Sequence, residues 1–112
     1  MFSSIAPTFG KCTSIVPSSP GSVPTKHSCQ LRRAVTSVEA NIVEGYALGT
    51  PPLFRRHLRI AMGSAAEAEC LTRAGGELQY LPGDVVRELE RLLERTMAAV
   101  HGLLRALIRT GN

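Results

Sequence analysis

The stretch from Leu31 to Glu69 sets Asn41, Glu44, Arg59, Glu67 and Glu69 among small and apolar residues, and these five side chains have types that could do chemistry. Two carboxylates working as general acid and base must face one site. Glu67 and Glu69 are two apart, which on a helix turns them to different faces. Asn41 and Glu44 are three apart and share a face. Glu67 can meet Arg59 or Arg33 across helices, and a charge taken out of water needs such a partner. The five are therefore read as an interhelical polar network that fixes packing register, in preference to a catalytic set. No nucleophile stands beside a positioned base, because His57 and His101 are far apart and neither is patterned with Ser64 or Cys70. No enzymatic activity and no cofactor are expected.

Metal chemistry finds no better footing. Cys12, Cys29 and Cys70 are odd in number and widely spaced, and His27, His57 and His101 do not stand at metal-ligand spacing to them. The Glu-x-x-His arrangement of di-iron bundles is absent. The cysteines read as buried or incidental thiols in a reducing cytosol, so a cytoplasmic location is expected. No apolar run reaches the roughly 18 residues of a membrane span.

Arginine is the more promising feature. The 112 residues carry 13 Lys and Arg against 9 Asp and Glu, a formal charge of +4, and all but Lys11 and Lys26 of the basic residues are Arg. A guanidinium offers a planar fork of donors that matches phosphate. Arg55, Arg56 and Arg59 crowd the start of one helical pattern, and Arg32 and Arg33 lie on the pattern before it. If antiparallel packing joins the two ends, these five form one patch for RNA or DNA. The competing reading is a solvated face with ion pairs to Glu44 and Glu67.

Three helices must position these groups. Leu31, Val35, Val38 and Ile42 recur at spacings of four, three and four, one stripe of a helix. Gly45, Gly49, Pro51 and Pro52 end it and begin the next. The second helix is expected from Leu53 to about Gln79, with Phe54, Leu58, Ala61, Ala65, Ala68 and Gly75 inward and an early end if Gly75 and Gly76 weaken it. Small residues there, Gly63 and Ala66 included, should let another helix come close. After a turn at Tyr80–Asp84, a third helix to Arg109 shows an apolar face wide enough for more than one partner. Residues 1–27 have four prolines, six serines and no acid, and read as a disordered tail; residues 28–112 read as the helical domain. With 44% hydrophobic residues and no Trp, the core must be aliphatic, and the fold class is all-α, an antiparallel up-down bundle.

The run Gln30-Leu31-Arg32-Arg33-Ala34 through Ala40-Asn41-Ile42-Val43-Glu44-Gly45-Tyr46 resembles the hallmark of the 23S ribosomal RNA intervening-sequence protein family, the four-helix bundle proteins. Phe54, Leu58, Arg59, Ile60, Ala61, Gly63, Ser64, Glu67 and Glu69 match its second motif, and Leu78, Tyr80 and Leu81 its turn. Glu39 stands where the family has Pro, and Leu48 where it has a basic residue, which removes one phosphate contact. The resemblance covers residues 30–110 and omits the family's first helix. It implies a bundle with three helices retained and an open apolar groove, hence a marginally stable or sticky chain. The family is encoded within insertions in bacterial 23S ribosomal RNA genes and looks like the pentameric accessory protein of diversity-generating retroelements. By that analogy a homo-oligomer, a ring of five, is expected. The resulting expectation is a non-enzymatic oligomeric bundle that binds RNA or DNA through Arg32, Arg33, Arg55, Arg56 and Arg59. The alternatives are a protein-interaction module using the groove, or a nonfunctional relic of a truncated gene.

Overall fold

The computed structural model describes residues 25–109, which form three helices and no strand: α1 Thr25–Ala47, α2 Pro51–Glu77 and α3 Gly83–Arg109. The tail reading of residues 1–24 falls outside the described residues. Residues 25–27 belong to the first described turn of α1, so the helix reaches N-terminally of the composition boundary at Ser28.

Helix α2 is the middle element, packed against α1 on one face and α3 on another. Ser37 meets Ser64, Asn41 meets His57, and Gly45 lies against Phe54 and His57. Residue numbers fall along α2 as they rise along α1, so the two are antiparallel. Gly76 touches Val86 beside the second turn, while Phe54 and Leu107 share a cleft at the far end, so α3 runs antiparallel to α2 as well.

The periodic stripes are the core. Leu31, Val35, Val38 and Ile42 are buried on α1. On α2 the buried positions are Phe54, Leu58, Ala61, Ala65, Ala68, Thr72 and Gly75. Thr72 and Thr96 sit in this apolar setting because each hydroxyl donates to the carbonyl four residues back, Ala68 O at 2.8 Å and Leu92 O at 2.9 Å. Gly63 and Ala66 are exposed, so only part of the small-residue set serves close packing.

Helix α2 does not end early at Gly75-Gly76. A Cβ on Gly75 would lie 2.7 Å from His27 Nε2 and 2.8 Å from Leu81 Cδ1, and one on Gly76 would lie 3.0 Å from Val86. The two glycines are where the helix is approached most closely from both sides, and this contact outweighs their cost of about 1 kcal/mol each in propensity.

The wide stripe of α3 is buried along its middle and half-buried at Val85, Val86, Met97, Leu103 and Leu107. Leu92, Leu93 and Val100 are 1% exposed and Leu89 is fully buried. Close approach at Gly76, beside Val86, lets α3 settle on α2. Exposed apolar side chains occur instead at the ends and on the outer surface: Val43, Tyr46, Leu48 and Leu53 around the first turn, Leu78 and Tyr80 at the second, and Ile60 and Ile108.

Both turns close by local backbone bonds. In the first, Leu48 N–H donates to Glu44 O at 3.0 Å and Gly49, at φ 79°, donates to Tyr46 O at 3.1 Å. In the second, the left-handed position is taken by Gln79 at φ 60°. A side chain there costs about 1–2 kcal/mol, which glycine avoids. Gln79→Gly is expected to raise stability by about 1 kcal/mol, read as a higher urea midpoint with unchanged slope. A lower midpoint would show that the Gln79 side chain makes a stabilising contact.

Candidate functional site

The α1–α2 seam carries a short polar ladder. Ser37 Oγ and Ser64 Oγ are 2.9 Å apart. Asn41 Nδ2 donates to Ser37 O at 2.8 Å and lies 3.2 Å from Ser37 Oγ. Asn41 Oδ1 is 3.1 Å from His57 Nδ1. Since the Asn41 amide nitrogen is committed to a carbonyl, its oxygen faces the ring and can only accept. Nδ1 therefore carries a proton, and in the uncharged tautomer this leaves Nε2 as an acceptor.

Asn41 is thus the member of the expected network that joins helices, and its partners are Ser37 and His57 rather than charged groups. Glu44, Arg59 and Glu67 are exposed. Arg59 follows the buried Leu58 by one residue, a rotation of about 100° that carries it out of the seam. Glu69, half-buried, lies 3.5 Å from Arg73 one turn on. On α3, Arg91 and Glu88 meet through two bonds, at 2.7 and 3.1 Å. The hydrogen bond and then the charge of Glu88 hold the Arg91 guanidinium above its ordinary value. The cysteines Cys29 and Cys70 are free and exposed.

The five arginines do not gather into one patch. With Ser37 opposite Ser64, Arg33 stands level with Glu67. Arg59 and Arg55 lie eight to twelve residues back along α2, about 12–18 Å away at the usual rise. Antiparallel packing brings the end of α1 to the start of α2, but Arg32 and Arg33 lie in the first half of α1. Two basic clusters result. Arg33, Arg56 and Arg59 are exposed, and Arg32 and Arg55 half-buried. Among the described residues the ion pairs are Arg73–Glu69 and Arg91–Glu88, which leaves Arg33, Arg56 and Arg59 outside any such pair.

Next to the second cluster, a cleft of about 470 Å³ is lined by Gly45, Tyr46, Thr50, Pro51, Phe54 and Leu107, among others. Tyr46 is 61% exposed, with its ring set edge-on to Phe54 at 6.1 Å. At the other end His27 packs edge-on to Tyr80 at 5.5 Å, with Nε2 buried over Gly75. Among the described residues no group of three or more His, Cys, Asp or Glu is placed to hold a metal ion, and no helix is long and apolar enough to cross a membrane.

A seam of small residues, glycines at the closest contacts and a short polar ladder define an all-α antiparallel helical-bundle protein. The model of the 23S rRNA-intervening sequence protein family matches residues 14–102, and the chain belongs to that family. The match reaches N-terminally of Gln30, into the stretch that composition set apart. No curated protein matches the chain.

Proposed function

We infer that the chain works without catalysis, as an oligomeric bundle that holds RNA or DNA electrostatically along the α1–α2 hairpin. The observation that carries this reading is the exposure of Arg33, Arg56 and Arg59 outside any ion pair among the described residues. Guanidinium groups so presented match phosphate oxygens in charge and geometry. Arg32 and Arg55, half-buried in the same clusters, extend the surface. The family's name ties it to an intervening sequence of 23S rRNA, which makes fragments of that RNA the first probe. A ring of five, by family analogy, would repeat each cluster around the assembly and raise avidity.

Binding is expected to weaken steeply with salt. Five contacted phosphates give a log–log slope of about −3.5 on single strands and about −4.5 on duplex. Replacing Arg55, Arg56 and Arg59 by Gln should flatten the slope by about 2–3. Filter binding across a salt series reads both, and no affinity for any polyanion at low salt would end this reading. Native mass spectrometry reads the assembly, and a chain that stays monomeric would remove the ring.

The second reading is a protein-interaction module in a reducing cytoplasm. The exposed Val43, Tyr46, Leu48 and Leu53 around the first turn favour it. A stoichiometric protein partner lost on Tyr46→Ser, with no nucleic acid present, would support this reading over the first.

A further inference from the structure

We propose that His57 accepts a hydrogen bond from a ribose 2′-hydroxyl and so makes the hairpin surface selective for RNA over DNA. This rests on the electrostatic reading above and names the ligand within it. Asn41 fixes the ring through Nδ1, and Nε2 of the half-buried imidazole stays reachable, with no hydrogen-bond partner among the described residues. The arrangement is that of a histidine oriented by one nitrogen so that the other can engage a ligand. A lone imidazole with no second and third ligand nearby is no cage for a metal ion.

The flanking residues select the ligand. Arg56 and Arg59, both exposed, flank His57 in sequence but are turned about 100° and 160° from it around α2, so a strand drawn to them wraps the start of the helix to reach the ring and presents its sugar–phosphate backbone. That backbone is rich in acceptors, and its one regular donor is the ribose 2′-hydroxyl, which DNA lacks. Nε2, an acceptor among cationic donors, is thus the one group in the segment that RNA can satisfy and a DNA backbone cannot. Leu58, on the same helical turn, is fully buried, and Gly45 lies against the Cβ of His57, so the ring is held on a fixed frame.

The test uses the full chain and three strands that differ only at the 2′ position: oligouridine, oligodeoxyuridine and 2′-O-methyl oligouridine. Fluorescence anisotropy at one low salt concentration gives the three affinities. The native chain is expected to bind RNA about fivefold more tightly than DNA, the effect of one hydrogen bond, with the methylated strand at the DNA level. His57→Phe should bring the RNA-to-DNA ratio to about one. Asn41 is a positioning residue: Asn41→Leu should lose the preference while keeping the affinity for DNA. Equal binding of RNA and DNA, methylated RNA binding like RNA, or a preference that survives in His57→Phe overturns the proposal and leaves the arginine reading standing. Failure of all three strands to bind overturns both. The methylated strand tests the native chain, so the result holds even if a variant misfolds, which circular dichroism would show.

Discussion

Leu58→Ala is expected to lower stability by about 2–5 kcal/mol, a large part of the roughly 5–15 kcal/mol available to a domain of this size. Leu58 is fully buried on α2, the helix that contacts both neighbours. Truncation removes its transfer free energy and leaves a cavity bordered by helices that cannot both close on it. Ala61 and Ala65, one and two turns on, are already small and offer little to collapse inward. Urea denaturation followed at the helical band would show a lower midpoint. A loss under 1 kcal/mol would mean that Leu58 does not hold the two interfaces together.

The second large effect is a pair of identical substitutions with opposite signs. Gly→Ala within a helix gains about 1 kcal/mol of propensity. At Gly63 no neighbouring heavy atom lies within 4 Å of the added methyl, so Gly63→Ala should stabilise by up to about that amount. At Gly45 the methyl would lie 2.7 Å from His57 Cβ and 3.1 Å from Phe54 Cδ1. A Cβ moves only with its backbone, so α1 and α2 must separate, and Gly45→Ala should cost about 1–3 kcal/mol net. Thermal melts of the two variants beside the parent test this, and a stabilised Gly45→Ala would show that the helices touch more loosely than the geometry requires.

These contrasts mark where a linear reading succeeds. The inward stripes of α1 and α2 were legible because Leu31, Val35, Val38 and Ile42, and Phe54 through Gly75, repeat at helical spacing, and one helix suffices to show such a repeat. Both turns were marked by glycine and proline. The ladder was not legible. Ser37, His57 and Ser64 have no periodic signature, and their meeting depends on the register between helices far apart in sequence. Asn41 was found through its place in a family motif, but its partner was sought among the charged residues. Arg59 was misplaced for a related reason: its neighbour Leu58 is buried, and a shift of one residue turns a side chain from core to solvent. Register also splits the basic residues into two clusters, since it sets Arg33 beside Glu67. At Gly75 and Gly76, propensity pointed to a break, and tertiary contact with Leu81 and Val86 prevailed.

The three-residue hinge between α1 and α2 leads directly into Pro51 and Pro52. Short hinges of this kind invite subunits to trade arms, by straightening so that two helices fuse into one continuous rod. Here the fused rod is forbidden, because each pyrrolidine ring would collide with the carbonyl four residues earlier and neither nitrogen can donate. Two copies of this chain are therefore barred from trading arms through a straight α1–α2 rod, and any contact between copies would join hairpins already folded, surface against surface.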